Sequence, residues 1–224
     1  MGGRFLSGEE RPAAIRAAKQ LGLSVAFDGG WEDAERVQPC FAPMGEEPFF
    51  SGLWLRVGWN AKFSQPRHRD LFGSLMALGI DRSWFGDLIM EEENAWLRVM
   101  PEMAERLPME WTQAGRFPIR VELPAEEPVI RPPEGELLRD TVASTRLDSV
   151  LAAGMNLSRS AAAEEIRRGR VMVDHLPEER VDRMLQTGQL LSVTGFGRIR
   201  VKEVGSANRK DRFPIVLEVF SGRR

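Results

Sequence analysis

The stretch that decides the fold of the C-terminal part of the chain is RLDSVLAAGMNLSRSAAAEEIRRGRVMVD, residues 146–174. Apolar residues at helical spacing predict a first helix over 146–153, which Gly154 ends. The Ser158 side chain is a good N-cap for a second helix, and Gly169 is its left-handed stop. The core of so small a hairpin does not need arginines, yet five fall within it: Arg146, Arg159, Arg167, Arg168 and Arg170.

Alternating apolar residues predict four strands after the two helices. The predicted strands are Val171–Val173, Leu190–Val193, Arg198–Val204 and Pro214–Phe220. In the third strand, Arg198, Arg200 and Lys202 are two residues apart, so their side chains project from one face of the sheet. Ile199 and Val201 point to the opposite face, into the core. The sequence therefore predicts two helices packed on a small, mainly antiparallel sheet.

The basic side chains of this region suit a nucleic-acid backbone. Arginine offers forked N–H donors that match phosphate oxygens, and the helix start at Ser158 leaves backbone donors free for an anion. For Arg167 and Arg168 a structural role is the alternative, since cations in the last turn stabilise the helix dipole. We expect the candidate RNA-binding residues to gather on one side of the domain: Arg146, Ser158, Arg159, Arg167, Arg168, Arg198, Arg200 and Lys202.

Charge is distributed unevenly along the chain. The 224 residues carry a net charge of −2, but residues 1–138 hold 15 Lys and Arg against 22 Asp and Glu, whereas residues 139–224 hold 16 against 11. A basic C-terminal part favours a polyanionic partner there. This part has few aromatic side chains, so we expect it to bind the backbone and shape of structured RNA rather than unpaired bases.

Composition argues against several classes of protein. The single cysteine, Cys40, excludes an internal disulfide and favours a reducing compartment. The N-terminus lacks the apolar core of a signal peptide, and no window predicts a membrane span, so we expect a cytoplasmic protein without a membrane partner. One cysteine and two histidines do not supply a zinc cluster. We predict no metal, cofactor, catalytic residue or small-molecule substrate.

The chain is predicted to be an α+β protein with three folded parts and a linker. Prolines in residues 124–140 are typical of a linker, because they remove backbone donors. Before it, residues 1–47 form a small α/β unit. Residues 48–123 have the order strand, helix, strand, strand, helix, strand, which predicts a ferredoxin-like (RRM-like) βαββαβ domain. Residues 141–224 form the basic C-terminal domain.

The middle domain offers a second candidate contact with RNA. Trp54 and Trp96 lie on predicted strands, where they either pack in the core or stack bases on an RNA-recognition sheet. A helix is predicted to begin at Asp70, whose side chain would serve as its N-cap. The basic side chains just before this cap are the second group of candidates: Lys62, His68 and Arg69.

Several motifs carry a resemblance to a known family. The C-terminal part resembles the S-four (S4) RNA-binding domain, of alpha-L fold, through RLDSVLA, LSRSAAAEEIRRGRVMVD and LLSVTGFGRIRV. Together with SGEE near the start, GGWEDAERVQPCFAP at 29–43 and KFSQPRHRDLFGSLMALGIDRSWFGDLI at 62–89, the chain resembles the bacterial YlmH family. The resemblance implies binding of structured rRNA and tRNA on large ribosomal subunits blocked by peptidyl-tRNA, in ribosome-associated quality control.

The chain departs from the family pattern at three positions. Asp174 stands where asparagine is usual, Gln189 where aspartate is usual, and Trp31 where tyrosine is common. Because a carboxylate repels phosphate, the resemblance implies altered contacts near the turn that contains Asp174.

Two other functions remain open at this point. An RNA-modifying enzyme similar to pseudouridine synthases would use the basic domain to deliver substrate, but the motif with their catalytic aspartate is not found in this sequence. A division-associated scaffold would use the first half of the chain, which contains all six tryptophans, as its interface.

Overall fold

A computed structural model describes residues 2–63, 65–130, 135–208 and 211–221. The chain forms two compact units, Met1–Pro132 and Pro133–Arg224. Among the described residues, no helix has both the length and the apolar character that crossing a bilayer requires.

The first unit begins with a helix and a strand pair. Its elements are α1 (Arg11–Leu21), β1 (Ser24–Asp28) and β2 (Gln38–Ala42). Strands β1 and β2 are antiparallel, with Ser24 opposite Ala42. This part of the chain thus contains both a helix and a pair of strands.

The middle of the chain has the predicted ferredoxin-like order. Its main elements are β3 (Leu53–Gly58), α2 (His68–Ala77), β4 (Phe85–Met90), β5 (Asn94–Val99), α3 (Pro101–Glu110) and β8 (Arg120–Glu122), with a short hairpin of β6 (Gln113–Ala114) and β7 (Phe117–Pro118) before β8. The sheet order is β4-β5-β3-β8, and each neighbouring pair is antiparallel. The βαββαβ prediction is confirmed.

The start of α2 differs from the prediction. The helix begins at His68, and Arg67 is its N-cap. Asp70 lies in the first turn, where its Oδ2 accepts a hydrogen bond from the backbone N–H of Arg67 at 2.9 Å. The prediction of Asp70 as N-cap was wrong, because a carboxylate three residues into a helix can also satisfy the cap N–H.

The two faces of the middle sheet have different neighbours. Helices α2 and α3 cover one face, which carries the buried side chains of Leu55 and Leu97. On the other face Trp54 is 3% exposed and lies opposite Arg98. A Cβ on Gly30 would come within 2.9 Å of the Trp54 ring, so the N-terminal segment packs directly on this tryptophan. Trp54 is therefore not a platform for bases.

Asp87 of β4 joins the N-terminal segment to the middle sheet. Its carboxylate accepts hydrogen bonds from Trp31 Nε1 at 3.0 Å and from the backbone N–H groups of Glu35 and Arg36 at 2.8 and 3.0 Å. Burial raises the pKa of Asp87, whereas these hydrogen bonds and the charge of Arg82 lower it. The effect of burial is larger, so the pKa of Asp87 lies above its ordinary value.

The second unit consists of two helices on a six-stranded sheet. Its elements are β9 (Glu136–Val142), α4 (Leu147–Gly154), α5 (Arg159–Arg167), β10 (Val171–Val173), β11 (Leu176–Pro177), β12 (Leu190–Val193), β13 (Gly197–Val204) and β14 (Phe213–Ser221). The sheet order is β11-β10-β12-β13-β14-β9, and every pairing is antiparallel. Two helices on an antiparallel sheet were predicted.

Strand β9 corrects the predicted linker. It begins at Glu136 and pairs with β14, so residues 136–140 belong to the sheet rather than to a linker over 124–140. The helices cover one sheet face, with Val150, Leu151 and Ile166 packed in the same core as Ile199 and Val201.

Candidate nucleic-acid interface

Two predicted arginines meet on one buried carboxylate. Arg146 is the N-cap of α4 and Arg159 is the first residue of α5. Their Nε atoms lie 3.2 and 3.0 Å from the two oxygens of Asp148, and each arginine also uses Nη2. This fork-to-carboxylate geometry leaves Nη1 of each guanidinium outside the pair. We name Arg146, Asp148, Ser158 and Arg159 the helix-start cluster.

Asp148 holds its charge within this cluster. Its side chain is 7% exposed, and burial alone would raise its pKa. The hydrogen bonds and positive charges of Arg159 and Arg146 outweigh burial and lower the pKa of Asp148 below its ordinary value. The cluster is therefore ionised at neutral pH, with two cations and one anion.

Ser158 caps α5 as predicted. Its Oγ accepts a hydrogen bond from the backbone N–H of Ala161 at 3.1 Å, and the helix ends before Gly169, which has a φ of +68°. Because the cap places Arg159 on the first helical turn, the guanidinium lies beside the positive end of the helix dipole. Both features favour an anion at this end of α5.

The last turn of α5 contains one paired and one unpaired arginine. Arg168 contacts Glu164 at 3.1 Å and Glu165 at 3.3 Å. The exposed Arg167 has no hydrogen-bond or ion-pair partner within the described parts of the chain. Of the two, Arg167 is the better phosphate ligand, since binding through Arg168 would compete with two carboxylates.

The strand triplet lies on the opposite face of the sheet. Ile199 and Val201 are buried under the helices, as predicted, so Arg198 and Arg200 project away from them. The guanidinium of Arg198 lies 5.9 Å from the ring centroid of Phe220. The Lys202 Nζ lies 3.4 Å from a Glu218 carboxylate oxygen. This set of cations is thus partly engaged within the sheet.

The expectation that all eight residues gather on one side was wrong. The helix-start cluster and the end of α5 belong to the helical layer, whereas the strand triplet projects from the face that the helices leave uncovered. Side chains alternate between the two faces along β13. Because Ile199 and Val201 face the core, the side chains of the strand triplet project from the opposite face.

The three second-contact candidates are spread over the start of α2. Lys62 Nζ lies 5.4 Å from the ring centroid of Phe63, and Arg69 Nε lies 3.9 Å from an Asp70 oxygen. The His68 ring stacks on Phe72 with 5.8 Å between centroids. Desolvation and the nearby Arg82 guanidinium lower the pKa of His68, so its imidazole is neutral at pH 7.

A groove beside α2 brings together cations that were not predicted. Arg67 and Arg116 both line this groove of about 650 Å³, together with Lys62, whereas His68 and Arg69 do not. The sequence contained a signal that was missed, because Lys62-Phe63 and Arg116-Phe117 are the same basic–aromatic pair in two loops. Within the described part of the chain, no group of three or more His, Cys, Asp or Glu side chains is placed to hold a metal ion.

Comparisons with known proteins agree with this architecture. A family model described as "Putative RNA-binding domain in YlmH" matches residues 46–127, and the S4 domain model matches residues 145–191. A Bacillus subtilis (strain 168) protein named ribosome-associated protein quality control protein P2 is 30% identical over 218 residues, which cover 96% of this chain and 85% of that protein.

The chain belongs to the YlmH family. Among solved structures, the cell division protein ylmH from Streptococcus pneumoniae aligns with a TM-score of 0.46 and 23% identity, covering 55% of this chain and 78% of that one. The matched family models describe RNA-binding domains and name no catalytic domain.

Two of the positions at which the resemblance implied departures, Asp174 and Gln189, contact each other. Asp174 and His175 have φ values of +51° and +64° and form the tight turn between β10 and β11. The Gln189 side chain donates from Nε2 to Asp174 Oδ2 at 2.8 Å, and the backbone N–H of Leu190 donates to Oδ1 at 2.9 Å. The Asp174 carboxylate therefore stabilises the turn, and an amide at position 189 supplies the donor that it needs.

Proposed function

We propose that this protein binds structured rRNA and tRNA on the large ribosomal subunit and acts in ribosome-associated quality control, at subunits blocked by peptidyl-tRNA. The observation that carries the proposal is the helix-start cluster, in which the buried Asp148 orients Arg146 and Arg159. The name of the Bacillus subtilis relative supports the ribosomal setting. We further propose that the protein acts in the cytoplasm by binding alone, without catalysis.

The arrangement suits a phosphate backbone for a physical reason. Two guanidinium groups held by one carboxylate lose less side-chain entropy on binding than two free arginines would. Their Nη1 groups remain available, and the cluster keeps a net charge of +1. Arg167 adds an exposed cation on the same helix. We therefore place the RNA on the helical side of the domain.

Co-sedimentation with separated ribosomal subunits tests the proposal. The Arg159→Gln/Arg167→Gln variant removes two cations while the glutamine at 159 can still donate to Asp148. We expect binding to large subunits to weaken by at least about 100-fold, because two charge-assisted hydrogen bonds are lost and each contributes about 1.5–3 kcal/mol. Arg180→Gln is a matched control, since this arginine is 74% exposed and contacts Asp182 at 4.0 Å.

Three results would contradict the proposal in different ways. If the Arg159→Gln/Arg167→Gln variant binds large subunits as tightly as wild type, the helical side is not part of the interface. A loss confined to Arg198→Gln/Arg200→Gln would place the RNA on the uncovered sheet face instead. Altered nucleoside masses in rRNA or tRNA after incubation with purified protein would show an RNA-modifying enzyme.

A further inference from the structure

The loop before α2 presents a phenylalanine to solvent beside a cation. Phe63 is 75% exposed, and the Lys62 ammonium lies 5.4 Å from its ring centroid. Across the same groove, the Arg116 guanidinium lies 5.1 Å from the ring centroid of Phe117, in the hairpin of β6 and β7. Isolated exposed phenylalanines are common, but two aromatic rings with adjacent cations around one groove are a specific arrangement.

The groove is positively charged. Within the part of the chain that the structure describes, Lys62, Arg67 and Arg116 have no carboxylate within ion-pair distance. Asp70 is the acidic side chain among the lining residues, and its Oδ2 already accepts the Arg67 backbone N–H at 2.9 Å. The groove cations therefore remain available to a bound anion.

The sheet face that RNA-recognition domains use is partly occupied in this protein. Trp54 is buried beneath the N-terminal segment, and the Arg98 opposite it pairs with Asp28 and Glu127 at 3.4 and 3.3 Å. Farther along the same face, Arg56 pairs with Glu122 at 3.2 Å. Trp96 is half-buried on the same face, and the groove beside α2 offers further aromatic and basic side chains.

We propose that this groove binds unpaired nucleotides, with bases stacked on Phe63 and Phe117 and phosphates contacted by Lys62, Arg67 and Arg116. Aromatic platforms next to cations are how proteins hold single strands, since every base has a face to stack. The volume of about 650 Å³ lies within the range of sites that enclose small ligands. The inference rests on the proposed function and makes it more specific. The C-terminal domain would contact the RNA backbone, and the groove would contact bases.

Fluorescence anisotropy with a labelled single-stranded 12-nucleotide oligouridylate tests the groove in the full-length protein. We expect Phe63→Ala to weaken binding about 5- to 150-fold, the measured range for loss of one base–aromatic stack. Phe49→Ala is the matched control, since Phe49 is 77% exposed in the same unit and has no cation over its ring among the described residues. Arg116→Gln should weaken binding and flatten its salt dependence, whereas Lys19→Gln on α1 should not.

The result that overturns this inference is equal affinity of wild type, Phe63→Ala and Arg116→Gln for the oligonucleotide. The proposed function is tested separately, by co-sedimentation of the Arg159→Gln/Arg167→Gln variant with large subunits. Photo-cross-linking of the Phe63→p-benzoylphenylalanine variant to ribosomal subunits is a second test of the groove. Cross-links to RNA support the groove as a nucleotide site, whereas cross-links to a ribosomal protein would overturn it in favour of a protein contact.

Discussion

Asp148 orients the guanidinium groups of Arg146 and Arg159, and these two groups keep its carboxylate ionised. The carboxylate is buried at the start of α4, where Arg146 lies two residues before it and Arg159 reaches it from α5. A buried carboxylate without these partners would be strongly unfavourable. The proposed contact with RNA and the stability of the fold therefore depend on the same residue.

Replacing this carboxylate should destabilise the protein in a pH-dependent way. Asp148→Asn loses both charge-assisted pairs, so we expect a fall of about 1–3 kcal/mol in the free energy of unfolding at pH 7. Because the pKa of Asp148 is lowered by folding, its contribution is present above the unfolded-state pKa and is lost as pH falls through the folded-state pKa. The difference between variant and wild type should thus shrink below about pH 4.

Urea unfolding of both proteins between pH 3 and pH 7 measures this difference. Asp182→Asn is the control, since Asp182 is exposed and lies 4.0 Å from Arg180, so its free energy of unfolding should change by less than about 1 kcal/mol. A constant difference between Asp148→Asn and wild type across this pH range would show that the Asp148 charge is not linked to folding.

The helical hairpin packs tightly against the sheet at the end of α4. A Cβ at Gly154 would lie 2.4 Å from Cδ1 of Ile199 and 3.1 Å from Cδ1 of Leu217. Both of these residues are fully buried, so neither can move aside without disturbing the core. Glycine is thus required here by packing, beyond its effect on the helix end.

Gly154→Ala should therefore destabilise the C-terminal unit. We expect a cost of about 1–3 kcal/mol from overpacking, measured by chemical denaturation. Gly73→Ala in α2 is the matched control, since nothing lies within 4 Å of its added Cβ and alanine favours a helix by about 0.8–1 kcal/mol. A Gly154→Ala variant as stable as wild type would contradict the close packing.

The local sequence pattern predicted the helices and strands, whereas the tertiary structure determined which side chains come together. The alternation at Ile199 and Val201 and the cap at Ser158 follow from short-range rules, which is why both appeared as predicted. Strand β9 was assigned to a linker because its partner β14 begins 77 residues after Glu136, and no local signal reports such a pairing. Predicting the role of Asp148 would have required knowing that α4 and α5 start side by side.

The same limit applies to the groove of the middle domain. Arg67 and Arg116 lie in separate loops, and only the packing of the β6–β7 hairpin near α2 brings them to one groove. Basic–aromatic dipeptides were visible in the sequence, but their convergence was not. Conversely, Trp54 suggested a stacking platform, and burial under the N-terminal segment removes it.

At the scale of the whole molecule, the two units carry different chemistry. The C-terminal unit offers cations in and near the helix-start cluster with few aromatic side chains, whereas the first unit offers aromatic rings with unpaired cations around one groove. On the two proposals above, we expect the chain to bind a junction of paired and unpaired RNA with two different sets of contacts. We propose that this combination, rather than net charge, selects the ribosomal target, because the whole chain is slightly acidic.

The salt dependence of binding to isolated large subunits tests the central claim most directly. With three to five phosphate contacts, the slope of log binding constant against log salt should be about −2 to −4.5. Removing two contacts in Arg159→Gln/Arg167→Gln should make the slope less negative by about 1.4–1.8, whereas Arg180→Gln should leave it unchanged. A wild-type slope near zero, or a slope that Arg159→Gln/Arg167→Gln does not alter, would contradict an interface built on these arginines.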